Sequence, residues 1–160
     1  MNELEKLKQQ LEEISKKIAE LEKSKEEIWK PEIGDDYWYI AGIGSVADAC
    51  DDEDDFDNAV FACGNFYKTE AEAEYQAKVQ KYTNLFRKYV EEHSEPLDWG
   101  CDDKCKYCSH YDYRNCQIYF DCAYCHKQQG TIYASSQEVL QEAISFVGEE
   151  NVIKYVLGVK

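Results

Sequence analysis

Leu4, Leu7, Leu11, Ile14, Ile18, Leu21 and Ile28 follow one another on alternating three- and four-residue steps, with Lys25 as the one break. That is the a/d seam of a heptad, and Lys and Glu fill the positions around it, so the pattern predicts an amphipathic helix over residues 1–30. It either lies on the domain behind it or pairs with a second copy to make a homodimer through residues 1–28. Fewer than four heptads is marginal for a helix standing alone. Trp29-Lys30-Pro31 ends the pattern, because a residue before proline avoids helical angles.

From Pro31 the period changes. Tyr37-Trp38-Tyr39-Ile40 reads as a strand, and Ala59-Val60-Phe61-Ala62-Cys63 carries a second strand signal. A long helix is predicted from Thr69 towards Glu92, opened by Thr69 with Glu72 three residues on, the capping-box spacing. Residues 95–160 resemble residues 31–94. A shift of 66 positions sets Gly64-Asn65-Phe66-Tyr67-Lys68-Thr69 against Gly130-Thr131-Ile132-Tyr133-Ala134-Ser135, with the box residue Glu72 against Glu138. The second helix is expected from about Ser136 to Phe146 with Gly148 as its stop, and a short helix or strand over Val152–Val159 closes the chain. The expected fold is α+β: a leader helix (1–30), then two related strand-strand-helix units (31–94 and 95–160) with their helices on an antiparallel sheet.

Composition narrows the function classes. The 160 residues carry 33 Asp and Glu against 18 Lys and Arg, a formal charge of −15, which excludes binding to nucleic acid through a bulk positive surface. With 44% hydrophobic and 14% aromatic residues the chain has enough apolar material for a core. No apolar run approaches the roughly 20 residues of a membrane span, and the charged start lacks a signal-peptide core. The expectation is a soluble intracellular protein that does not bind membranes.

In that compartment eight cysteines point to metal or free thiols more than to disulfides. Cys105-Lys106-Tyr107-Cys108 and Cys122-Ala123-Tyr124-Cys125 are two CxxC pairs thirteen residues apart, the spacing of a four-thiolate structural zinc site. A hairpin turning at Tyr113-Arg114-Asn115 sets Cys105 opposite Cys125 and Cys108 opposite Cys122. A flat strand, however, points residues three apart to opposite faces, so the CxxC segments must curl if all four sulfurs are to meet one ion. Cys101, Cys116 and His126 stand near enough to replace one ligand. Buried free thiols, a disulfide pair and a redox-active CxxC are the alternatives. Cys50, Cys63, His93 and His110 fit no ligand spacing.

Between Pro31 and Tyr67 there are ten acidic residues and no Lys or Arg, and six of the ten, Asp51, Asp52, Glu53, Asp54, Asp55 and Asp57, fall almost together. Such a run is a solvated loop, a calcium loop lacking the usual ligand order and central Gly, or an anionic face competing for a basic groove. Signatures of catalysis are missing: there is no GxSxG, Walker loop, GxGxxG or HExxH, and no His-x-Glu ahead of a CxxC.

The run Trp29-Lys30-Pro31-Glu32-Ile33-Gly34-Asp35-Asp36-Tyr37-Trp38-Tyr39-Ile40 resembles a group of small phage and prophage accessory proteins. So do Phe56-Asp57-Asn58, the segment Gly64 to Glu74, and Ser135-Ser136-Gln137-Glu138-Val139-Leu140-Gln141-Glu142-Ala143-Ile144. The resemblance implies a phage or mobile-element origin and a bacterial host cytoplasm. It also implies likeness to inhibitors of host defence, anti-CRISPR proteins included, of which a zinc-containing one is similar in outline. The cysteines are not part of the shared pattern, so zinc rests on their spacing.

Together these readings predict a non-enzymatic inhibitor that binds a host protein such as a CRISPR effector nuclease and blocks nucleic-acid loading. Its acidic residues 51–55 and 57 carry the contact, and Zn2+ on Cys105, Cys108, Cys122 and Cys125 holds the second unit. A dimeric adaptor with a structural zinc is the alternative. A zinc-ribbon nucleic-acid binder is the weaker one, because charge over Cys101–Gly130 balances to zero.

Overall fold

The structure, a computed structural model, describes residues 8, 10–17 and 29–160. Residues 10–17 are helical. The seam positions Leu4, Leu7, Ile18, Leu21 and Ile28 lie outside the described residues.

The first unit opens with β1 (Asp36–Ile40) and β2 (Val46–Cys50), paired antiparallel with Asp36 opposite Cys50 and Ile40 opposite Val46. Alternation buries Tyr37 and leaves Asp36 outside. The segment expected as a second strand, Ala59–Cys63, is instead the end of helix α1 (Asp55–Ala62). The acidic run itself starts this helix. Asp54 caps it by accepting from the Asp57 amide at 2.8 Å, and the Asp57 carboxylate accepts in return from the Asp54 amide at 3.4 Å, a capping box written with two aspartates. Asp55 and Asp57 in the first turn suit the positive end of the helix dipole. Val60 is buried and Phe61 packs against Tyr37 and Phe66, with ring centroids 5.2 and 5.3 Å away.

After α1 the chain returns to the outer edge of β1. Tyr67 and Trp38 exchange two backbone hydrogen bonds of 2.8 and 3.0 Å, and two residues later Thr69 caps α2 (Glu70–His93). Thr69 Oγ1 accepts from the Glu72 amide, while the Glu72 carboxylate accepts from Lys68 rather than from the cap itself.

The second unit repeats this plan. β3 (Lys106–Asp112) and β4 (Gln117–Ala123) form the hairpin. Ala134 bridges to Tyr107 through bonds of 2.8 and 2.9 Å, and two residues later Ser136 caps α3 (Gln137–Val147). The cap is thus Ser136, one residue beyond the Ser135 that the sequence shift sets against Thr69. Gly64 and Gly130, both with positive φ, do align, so the extra residue enters between Gly130 and the bridge. Gly148, at φ +91°, stops α3, and one turn over Glu149–Asn151 and a π-helix over Val152–Val156 finish the chain.

The architecture is α+β, but its strands form two separate two-stranded sheets and not one shared sheet. Helix α2 joins the units, packing on β1 and β2, on α3 and on the π-helix. The main core lies between α2, α3 and the second hairpin. Phe86, Val90, Leu140, Ala143, Val147 and Val152 are buried there, with Tyr107, Ile118 and Phe120 packed against them from the strands. Fully burying a side chain of the Phe86 or Leu140 class contributes roughly 1.5–3 kcal/mol. No helix among the described residues is long and apolar enough to cross a membrane.

Candidate functional sites: an acidic turn and a cysteine–histidine hairpin

The six clustered acidic residues do not form one uniform surface. Asp51 and Asp57 turn inward and are 4% and 2% exposed, while Asp52, Glu53, Asp54 and Asp55 stay in solvent. Asp57 is the hub. It accepts from the Tyr37 hydroxyl at 2.5 Å and from the Asp52 amide at 3.0 Å. The Tyr37 hydroxyl, with the Asp52 amide, holds the Asp57 carboxyl below the usual aspartate range. Burial, and then the bond to Asp57, push the Tyr37 phenol well above its ordinary value. A side-chain hydrogen bond with Asp57, then the charge of Asp54, raises Asp52. The Asp51 carboxylate accepts from the Glu53 amide at 3.1 Å, which supports Glu53 at φ +60°, a left-handed position costing a residue with a Cβ roughly 1–2 kcal/mol.

Carboxylate oxygens of Asp52, Asp54 and Asp57 lie within 4.8 Å of one another. Those of Asp54 and Asp57 already accept backbone and tyrosine hydrogens, and those bonds hold the turn. Among the described residues no basic side chain pairs with the run: the ion pairs there are Lys16–Glu12 and Lys88–Glu92, both far along the chain from it. Asp36 and Asp48 extend the exposed charge along the same ladder face as Cys50. Desolvation, then Asp36 and Asp52, push the Cys50 thiol up. The neighbouring aromatics divide, with Tyr37 buried and Trp38 and Tyr39 half-buried. Phe56 is exposed and meets Tyr39 edge-on at 5.1 Å.

In the hairpin the register decides the chemistry. Cys108 stands opposite Asp121 and Cys122 opposite Tyr107, one residue off the pairing that sets Cys108 against Cys122. A slip of one residue moves side chains to the other face. Asp112 imposes it by accepting from the Arg114 and Asn115 amides and from the Asn115 side chain, with Cys116 at φ +51° closing a four-residue turn. The CxxC segments do not curl enough to undo this, for Cys108 and Cys122 both sit inside regular ladder.

The four cysteines therefore separate into two pairs. Cys105 and Cys122 share the core-side face and are joined as a disulfide with Cα atoms 5.6 Å apart, where metal or free thiols were expected. Cys108 and Cys125 border a cavity of about 340 Å³ on the other side, together with His110, His126 and Tyr133. Cys108 is buried, and its desolvation, then Asp121, raises the thiol. Its sulfur lies 3.3 Å from His110 Nε2, and the Cys125 sulfur lies 3.1 Å from His126 Nδ1. Of the substitute ligands, His126 is thus beside the cavity, Cys116 is out in the turn, and Cys101 offers its carbonyl to Lys106.

No family model, curated protein or solved structure matches the chain. Its chemistry is therefore read from these side chains alone.

Two residues of the hairpin escaped the sequence pattern. Lys106, 1% exposed, donates to the carbonyls of Cys101 at 2.7 Å and Tyr124 at 2.6 Å, tying together the segments before and after the hairpin. A lysine inside a CxxC gives no sign of burial. His110 fits no motif, yet it alternates with Cys108 along β3, and that i, i+2 spacing is the signal that places both on one face. His93 ends α2, stacked on Tyr89 with Nδ1 2.8 Å from the Tyr89 carbonyl, a structural role. Cys63 is exposed, with its sulfur 3.3 Å from the Val60 carbonyl.

Proposed function

We propose that the chain is a non-enzymatic, phage-encoded inhibitor that seats its acidic first unit in the cationic cleft of a host defence nuclease, of the CRISPR effector kind, and keeps nucleic acid out. The observation that carries this reading is the exposed charge of Asp52, Glu53, Asp54 and Asp55, without an ion pair among the described residues and extended by Asp36 and Asp48. A cluster of exposed carboxylates is steered over long range onto a basic groove. Asp51 and Asp57 serve that surface from within, by holding the turn. Exposed Phe56 beside the turn supplies an apolar anchor of the type that concentrates binding energy. In this reading the second unit is a scaffold stapled by disulfide and metal, and the protein works in the bacterial cytoplasm.

The test is a pull-down from bacterial lysate with the wild type and with a variant carrying Asp36→Lys, Asp48→Lys, Asp52→Lys, Glu53→Lys and Asp55→Lys. That variant spares the structural Asp51, Asp54 and Asp57. The wild type should capture a nucleic-acid-binding protein, release it steeply as salt rises, and compete with its nucleic acid. Equal capture by the folded variant, or a partner that still loads nucleic acid normally, refutes the proposal.

A second reading is favoured by one observation: within the helical residues 10–17, the seam residues Leu11 and Ile14 are 71% and 58% exposed. An adaptor that dimerises through this seam would cover them. Light scattering on the wild type and on the Leu11→Asp/Ile14→Asp variant tests it, and a monomeric wild type sinks it.

A further inference from the structure

The second hairpin turns one face to the core, carrying Tyr107, Ile118 and Phe120. On the opposite face Lys106 and Cys108 are nevertheless buried. The chain from Tyr124 to Tyr133 runs beside that face without regular structure. Residues 124–130 of it are all exposed, and its apolar attachments come after them: Ile132 against the main core and Tyr133 packed edge-on against Trp99 at 4.9 Å. Lys106 holds its start through the Tyr124 carbonyl and the Tyr133 hydroxyl accepts from the Gln128 amide, so Cys125 and His126 lie exposed between two fixed points, beside the cavity.

We propose that Cys108, His110, Cys125 and His126 form a zinc site that fastens this segment to β3. The donors already stand as two sulfur–nitrogen edges, Cys108 with His110 at 3.3 Å and Cys125 with His126 at 3.1 Å. With Zn–S near 2.3 Å and Zn–N near 2.0–2.1 Å, a tetrahedral S–N edge measures about 3.5 Å. Both edges line the same cavity of about 340 Å³, and Cys125 and His126 are exposed, which gives an ion its way in.

Two soft thiolates and two imidazoles suit zinc over the harder divalent ions, and a full protein shell makes the site structural. Among the described residues the one trio of donor atoms within 4.8 Å of each other is Asp52, Asp54 and Asp57. The two Cys–His edges are thus separate in this structure, and binding draws the Cys125–His126 segment toward β3. Cys105 and Cys122, bonded to each other on the core side, take no part. The ligand set differs from the two CxxC pairs that the spacing proposes, and it stands independently of the inhibitor reading.

The experiment uses the full chain, stripped with a chelator and titrated with Zn2+ against a chromophoric competitor, and with Co2+ for its absorption spectrum. One metal per chain is expected, with thiolate-to-cobalt charge transfer of two thiolates and tetrahedral d–d bands. Hydrogen exchange over residues 124–130 should slow when Zn2+ binds. His126→Ala, a change at an exposed side chain that leaves the fold intact, should weaken zinc by about a hundredfold or more, beyond the usual loss of an outer-shell partner. Cys125→Ser and His110→Ala should do the same, while the Cys105→Ser/Cys122→Ser variant should stay within a few-fold of wild type. No stoichiometric zinc in the folded wild type overturns the proposal. So does full affinity in both histidine variants, or a four-thiolate spectrum lost with Cys105 and Cys122.

Discussion

Replacing Lys106 by methionine keeps most of the side chain's volume and removes its charge and its donors. The ammonium is buried, with two short bonds to the carbonyls of Cys101 and Tyr124 and the Trp99 ring centroid 5.5 Å away. Hydrogen bonds to a charged group contribute about 1.5–3 kcal/mol each, so losing two removes roughly 3–6 kcal/mol. Against that stands the desolvation of the ammonium, several kcal/mol that methionine does not incur. Two carbonyls left short of a donor tip the balance, and the net loss comes to about 1–3 kcal/mol.

Thermal unfolding should then fall by about 2–12 °C, at roughly 2–4 °C per kcal/mol for a chain of this size. Urea unfolding should show a lower midpoint at unchanged slope. Hydrogen exchange should speed up around Cys101 and Tyr124 before it changes in α2. Lys104→Met, at an exposed neighbour, should stay within about 0.5 kcal/mol of wild type. Wild-type stability or better in Lys106→Met would refute the reasoning, because the two carbonyl bonds would then contribute nothing net.

Asp54→Ala removes the α1 cap and one side of its box, and should cost about 1 kcal/mol in urea unfolding. Tyr37→Phe should destabilise by an amount that depends on pH. Asp57 is depressed in the folded state, so its contribution is present above about pH 4 and lost as pH falls through its folded value. Tyr37 is raised, so its contribution is present below about pH 10 and lost above its folded value. The gap between wild type and Tyr37→Phe should therefore be widest from about pH 4 to 10 and narrow on either side; a constant gap contradicts the assignment. The Cys105→Ser/Cys122→Ser variant should lose about 3 kcal/mol under oxidising conditions, as expected for a loop of sequence separation 17, and nothing relative to reduced wild type.

The long helices were legible because their ends are written in local chemistry: Thr69 and Gly148 act where their residue types predict, and Ser136 caps one residue past the Ser135 that the repeat sets against Thr69. β1 was legible from its aromatic run. Helix α1 was not, since Val60-Phe61-Ala62-Cys63 reads apolar in either period, and a box of two aspartates looks like part of an acidic loop. β2, with the sequence VADAC, has too little β-branched character to announce a strand. The hairpin was foreseen and its register was not. Symmetry between the CxxC pairs centres the turn on Asn115, whereas the Asp112 side chain sets a four-residue turn and shifts the ladder by one. That single residue sends Cys108 and Cys122 to opposite faces, so a hairpin found in the right place with its turn one residue short still misplaces the sulfurs. Of the acidic residues, no pattern tells Asp51 and Asp57 from their neighbours, because what buries them is Tyr37 and the turn they close.

The two units use one frame for different chemistry. In each, a hairpin is followed by a segment outside the sheet, then by a residue that bridges back to the first strand and a hydroxyl that caps a helix two positions later. In the first unit the segment between hairpin and bridge holds the acidic turn and α1. In the second it holds Cys125 and His126. Both ends of the segment are pinned, by the ladder on one side and by the two-bond bridge on the other, so its interior can change without disturbing the core under α2 and α3. Asp52 to Asp55 in the first unit and Cys125 and His126 in the second therefore fall at the same topological place, while Asp36, Asp48, Cys108 and His110 stand on the strands beside it. The acidic turn and the Cys125–His126 segment are thus two fillings of one tolerant position, and substitutions confined to either should leave the other unit's unfolding unchanged.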